Sequence, residues 1–175
     1  MMLLTLFLLF PLLGWANDIV LYLGGNCWTG QASVSCRNID ERTCCRASAP
    51  FCGVAQCVGC PVYTIVLTYF GSDCSGKSNR WCKIRHLDRK HWGCCVDLGF
   101  EDTCAAMWAT SSYQTDVDAA TSEIACAQPN VMTYVDNGVQ REIHIPEGEL
   151  QNATQLLLAN DFEGLKHFAD WAGQQ

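Results

Sequence analysis

Cys27-x8-Cys36-x7-Cys44-Cys45-x6-Cys52 is followed in this chain by Cys74-x7-Cys82-x11-Cys94-Cys95-x8-Cys104, so that one order of cysteines (single, single, paired, single) is written twice. Self-similarity of this kind reads as one small unit duplicated. Cys57 and Cys60 lie between the two blocks, which places twelve of the thirteen cysteines from Cys27 to Cys104 and leaves Cys126 beyond them. Such density belongs to an oxidising compartment and to a core too small to hold itself without cross-links. All thirteen are candidates for disulfides. Their number is odd, so one thiol is left over or pairs with another molecule. The spacing does not give the pairing, and Cys126 reads equally as a tie to the duplicated region or as the odd thiol.

Each block is preceded by a strand-like run and a turn. Ile19-Val-Leu-Tyr22 runs into Gly24-Gly25-Asn26-Cys27, and Ile65-Val-Leu-Thr-Tyr69 into Gly71-Ser72-Asp73-Cys74. Both then reach a glycine, Gly30 and Gly76, suited to a backbone fold closed to larger residues. Val62 to Tyr69 is apolar but far shorter than the roughly 20 residues a bilayer span needs, and its β-branched content marks a buried strand.

Upstream, residues 1–16 carry an apolar run from Leu3 to Leu13 and end Gly14-Trp15-Ala16, the pattern of a secretory signal peptide. The expected organisation is therefore a signal peptide over 1–16, a duplicated cysteine-rich domain over 17–110, and an α+β appendage over 111–175 packed on it. No transmembrane segment is expected.

Tyr22-x5-Trp28-x-Gly30 resembles the aromatic, aromatic, glycine signature of the βγ-crystallin Greek-key motif, and Tyr69-x4-Cys74-Ser75-Gly76 is a reduced form of it. Gly53-Val-Ala-Gln-Cys57 and Cys104-Ala-Ala-Met-Trp108 resemble the closing strands of two such motifs. The resemblance covers roughly residues 17 to 110. It implies a mainly β, disulfide-stapled double Greek-key sandwich, βγ-crystallin-like, in which the first aromatic packs over a folded hairpin and the glycine takes a positive backbone angle. The calcium ligands of many members have no counterpart in Ser48 to Gly53, which lacks carboxylates, so no metal and no cofactor is expected. The cysteine spacing is also similar to that of small cysteine-rich secreted proteins of filamentous fungi, a group without a common activity.

After residue 110, Val131 to Val135 and Val139 to Ile145 flank Asp136-Asn137-Gly138, and Asn-Gly predicts a hairpin. Glu149 to Asn160 and Asp161 to Ala172 read as two short helices, with Asp161 as N-cap of the second. Phe162, Leu165, Phe168, Ala169 and Ala172 recur at helical spacing, so one face should be buried. Asn152-Ala153-Thr154 is a glycosylation sequon.

The net charge of −7 conceals an asymmetry. From Lys77 to Trp92 six cations face Asp88 alone, whereas from Asp97 onward thirteen acids face Arg141 and Lys166. Lys77, Arg80, Trp81, Lys83, Arg85, Arg89, Lys90 and Trp92 form the expected binding segment, because aromatics interleaved with cations suit an anionic or sugar-bearing surface. Trp81 and Trp92, next to or near cysteines, also suit packing on disulfides. Cys57-x2-Cys60 reads as a structural bridge, since its strand-like context lacks the βαβ setting of a redox pair.

His86 and His91, with Arg85, Asp88, Lys90 and Glu101, are the residues a phosphodiester-cleaving acid and base pair would draw on. No recognisable hydrolase motif accompanies them. The leading expectation is a secreted, extracellular, non-enzymatic effector- or toxin-like module whose partner is a polysaccharide or anionic surface and not nucleic acid. The alternatives are a small secreted hydrolase or nuclease using His86 or His91, and a structural extracellular component.

Overall fold

A computed structural model describes residues 17–24, 27, 30–71, 73–75, 78–84, 95–97, 104–110 and 124–171. The segment 1–16, expected to be a signal peptide, lies outside the described residues.

The chain is mainly β. In order it runs β1 (Asp18–Tyr22), β2 (Ser33–Cys36), β3 (Cys44–Arg46), β4 (Val54–Val58), β5 (Thr64–Tyr69), β6 (Arg80–Lys83), β7 (Cys95–Asp97), β8 (Ala105–Thr110), β9 (Cys126–Ala127), β10 (Val131–Asp136), β11 (Val139–His144), α1 (Leu150–Leu158) and α2 (Phe162–Trp171). One sheet has the order β11-β10-β2-β1-β4-β7 and the other β6-β5-β8-β3-β9. All described ladders are antiparallel except β3 with β9.

The two blocks of the sequence become two four-strand units, β1 to β4 and β5 to β8, each of which gives its third strand to the other's sheet. β3 pairs with β8 in the second sheet, and β7 pairs with β4 in the first. Neither unit can then complete a sheet without its partner, so the duplicated halves form one body.

Strand alternation positions the core between the sheets. Ile19 and Leu21 on β1, Val34 on β2, and Ala55 and Cys57 on β4 meet Cys45 on β3, Val66 on β5, and Ala106 and Trp108 on β8 in one cluster. The indole Nε1 of Trp108 donates to the Ile39 carbonyl at 3.0 Å, which satisfies its buried polar atom. The opposite face of the second sheet is also buried: Ile65, Leu67, Tyr69, Ala105, Met107 and Ala109 form a separate cluster with Cys44 and Cys74. β5, with Ile65, Leu67 and Tyr69 on this face and Thr64, Val66 and Thr68 on the other, is buried along its whole length.

The segment after Thr110 adds strands to both sheets. β9 lies beside β3, and the β10–β11 hairpin extends the first sheet by pairing β10 with β2. The hairpin turns on Asn137 and Gly138, whose φ of 50° and 77° are the two positive angles a two-residue type I′ turn requires. The inner face of this extension is covered by the helices: Tyr134, Ile143 and Ile145 share the main cluster with Ala153, Leu157 and Leu165. Asp161 caps α2, with the Gly164 backbone N–H donating to its Oδ1 at 2.9 Å.

Bridges fix these layers. Cys36–Cys45 joins β2 of one sheet to β3 of the other, while Cys27–Cys95, Cys44–Cys74 and Cys52–Cys104 join the first block to the second. Cys57–Cys60 closes the turn after β4, so the C-x2-C is a disulfide. Cys82 is also disulfide-bonded, with its partner outside the described residues. Cys126 is the free, exposed thiol among the described cysteines. Cys94 lies outside the described residues.

Candidate functional site

The cationic segment is represented by Arg80, Trp81 and Lys83, which together with Cys82 make up β6, an edge strand of the second sheet. Lys77, Arg85, Arg89, Lys90 and Trp92 lie outside the described residues, as do His86, His91, Asp88 and Glu101 of the hydrolytic alternative. Period-two alternation divides the three that are described. Trp81 and Lys83 stand opposite Leu67 and Ile65 and share their side of the sheet, whereas Arg80 stands opposite Thr68 on the side facing the core. Trp81 keeps 51% of its surface exposed. Arg80 and Lys83 are exposed too. Cations on an edge strand also discourage edge-to-edge pairing with a second chain.

Another feature able to hold a ligand lies on the solvent side of the first sheet. Residues paired across four strands align there in a row: Tyr22 on β1, Ser33 on β2, Thr133 on β10 and Glu142 on β11. Ser35, two residues along β2, lies beside the row. The serines are small and their neighbours tall, so a hollow of about 200 Å3 opens over them. Ser33 and Ser35 are only 6% and 7% exposed. Gln31, on the rim, has a buried carbonyl oxygen that accepts no hydrogen bond among those residues.

The charged members of the hollow are already engaged with one another. Arg37 pairs with Glu142 and, at 3.9 Å, with Asp18, whose other oxygen accepts from the Asn38 backbone N–H at 3.0 Å. The Tyr22 hydroxyl donates to Gln56 Oε1 at 2.6 Å, and burial raises its pKa above the ordinary value near 10. No group of three or more His, Cys, Asp or Glu suited to a metal ion occurs among the described residues.

Sequence reasoning missed this hollow. The signal available was the alternation Ser33-Val34-Ser35-Cys36, a half-polar strand, but two of the four residues in the row come from strands about a hundred residues later. Asn152, the sequon residue, sits exposed in α1, where its Nδ2 donates to Glu149 Oε2 at 3.0 Å, while Thr154 is buried against the Leu150 carbonyl.

The class that fold and bridges define is a cysteine-rich, mainly β protein of two sheets closed by a C-terminal hairpin and helix pair. No family model, characterised protein or solved structure matches the chain. No helix among the described residues is long and apolar enough to cross a membrane.

Proposed function

We propose that the chain is a secreted, non-enzymatic binding module with a βγ-crystallin-like double Greek-key core, acting outside the cell on an anionic surface such as an acidic polysaccharide. The reciprocal exchange of β3 and β7 supports the crystallin-like reading, as does Gly30, whose φ of 101° fits the glycine of the Tyr22-x5-Trp28-x-Gly30 signature. The bridges support an extracellular setting, because they persist where thiols are not kept reduced. The resemblance to small cysteine-rich secreted fungal proteins points the same way.

The observation that carries the binding role is Trp81, half exposed on an edge strand beside Lys83 on the same side. A bare indole next to a cation offers a stacking surface and a charge together, in a chain whose net charge would otherwise repel anions. The test is retention of the oxidised protein on an acidic polysaccharide and on anionic lipid vesicles at low and high salt. Retention should fall with salt and fall again in Trp81→Ala and Lys83→Ser, with Arg80→Ser, facing the other way, affecting it least. Retention that is absent, or indifferent to all three substitutions, would overturn the assignment.

A further inference from the structure

We propose that the hydroxyl-floored hollow on the solvent side of the first sheet is a second, separate site that takes one neutral sugar residue of a glycan. Its size sets the first limit. About 200 Å3 holds roughly six or seven waters at about 30 Å3 each, which suits a single hydroxylated ring, and it falls below the several hundred Å3 of a site for a larger organic ligand.

Its chemistry sets the second. Ser33 and Ser35 lie more than nine-tenths buried on the floor, and Thr133 adds a third hydroxyl in register with Ser33. A hydroxyl both donates and accepts, so three of them match a ligand whose own groups do the same. The buried carbonyl oxygen of Gln31, at the rim, lacks a donor among the described residues, a condition that buried acceptors rarely tolerate. Tyr22 closes one end of the row, and its ring supplies the apolar contact that the C–H face of a sugar needs, while its hydroxyl is held on Gln56.

Charge argues against an anion. The hollow holds two carboxylates, Asp18 and Glu142, against the single guanidinium of Arg37, which both of them engage, so an anion would enter against net negative charge with no free cation to meet it among the described residues. A metal ion would need a cluster of ligands that the described residues do not provide. Among the ligands left, a neutral polyhydroxyl one matches the hydroxyls that floor the hollow.

Chitotetraose, cellotetraose and maltotetraose, titrated into the full disulfide-bonded protein by calorimetry, test the site. One of them should bind saturably. Binding should persist in about 1 M NaCl, where the screening length is only about 3 Å. It should weaken about tenfold in Ser33→Ala/Ser35→Ala, the loss of two uncharged hydrogen bonds, and be unchanged in Trp81→Ala/Lys83→Ser. If the double serine variant does not fold, Thr133→Val, close in size to the native residue, carries the same expectation at a smaller factor. The proposal is overturned if none binds more tightly than about 1 mM, if binding disappears with salt, or if the hydroxyl deletions leave it intact. Failure at the cationic strand β6 would leave this result untouched, because the two sites share no residue and only binding at β6 should fall with salt.

Discussion

The Tyr22 hydroxyl reaches diagonally across the β1–β4 ladder to Gln56 Oε1, 2.6 Å away and two residues off its own register partner Val54. The contact ties β1 to β4 on the solvent side of the first sheet and holds the Tyr22 ring at the end of the hollow. Burial raises the Tyr22 pKa above its usual value near 10. The unfolded tyrosine loses its proton near pH 10 and the folded one later. Between those points the unfolded chain binds fewer protons, so stability falls as pH rises; below about 10 the contribution is complete. Tyr22→Phe should therefore cost about 1 kcal/mol at neutral pH, from the lost hydrogen bond, and should flatten the decline above pH 10. Urea denaturation at neutral and alkaline pH, with Cys126 blocked to prevent disulfide exchange, measures both. An alkaline slope identical to that of the native protein would remove Tyr22 from the account.

Cys126 stands opposite Cys44 in the parallel β3–β9 ladder, but Cys44 is bonded to Cys74, and Cys126 is left exposed and free. Ten cysteines occupy the five described bridges, and Cys82 is bonded to a partner outside the described residues. The native protein should then take up one equivalent of N-ethylmaleimide, at Cys126. Peptide mapping should recover Cys27–Cys95, Cys36–Cys45, Cys44–Cys74, Cys52–Cys104 and Cys57–Cys60. Cys126→Ser should change stability by no more than about 0.5 kcal/mol, the usual range for an exposed position. Two adducts, or none, would contradict this pairing.

The long bridges between blocks should matter most to stability. Cys27 and Cys95 are 68 residues apart, and a loop of that size loses on the order of 4 kcal/mol of chain entropy when closed in the unfolded state. Replacing both with serine should lower the unfolding free energy by that order. Denaturant melts of the variant beside the native protein read it directly, and a loss below about 1 kcal/mol would mean that the unfolded chain is already constrained there.

What could be read from sequence was what short-range chemistry decides. The runs Ile19 to Tyr22 and Ile65 to Tyr69, the Asn137-Gly138 turn and the Asp161 cap each announce themselves within a few residues, and each element formed where expected. Sheet membership is decided at long range. Cys44-Cys45-Arg46 is too short to show a period, and nothing local indicates that it pairs with β8 beyond residue 104. The hollow depends on the same kind of distant arrival, with Thr133 and Glu142 brought to Ser33 by the β10–β2 ladder. The run of cations was visible as composition, but strand alternation, which turns Arg80 away from Trp81 and Lys83, became meaningful only once β6 was paired in register with β5.

Gly164, the third residue of α2, is there for space. A Cβ at this position would lie 2.7 Å from Asp161 Oδ2 and 2.9 Å from Leu156 Cδ2, meeting both the capping carboxylate and the packing between the helices. In an open helix Gly→Ala gains about 1 kcal/mol. Here the gain should be reversed, because the cap must rotate away and Leu156 must shift. Asp161→Ala alone should cost about 1 kcal/mol, and Gly164→Ala should cost a comparable amount, with less than additive loss in the double variant because both act through the same cap. Thermal melts of the three variants check this, and a stabilised Gly164→Ala would show that the carboxylate moves aside freely.

The helix pair does over β10 and β11 what the second sheet does over β1, β2 and β4, and one ring contact marks the junction. Tyr134 on β10 and Phe162 at the start of α2 stack with centroids 5.5 Å apart and planes 7° from parallel. Leu165, one turn further, is fully buried in the common cluster with Ile143 and Ile145. A double-mutant cycle with Tyr134→Leu and Phe162→Leu should give a coupling of about 0.5–1.5 kcal/mol, the usual worth of an aromatic pair beyond its buried area. Leu165→Ala should cost about 2–5 kcal/mol, the range for emptying a fully buried leucine site. Because β10 also pairs with β2 at the centre of the first sheet, that loss should appear in one unfolding transition shared by the whole protein. Circular dichroism in the far and near ultraviolet would report coincident curves. A separate early loss of helix signal in Leu165→Ala would mean that α1 and α2 unfold independently of the sheets they cover.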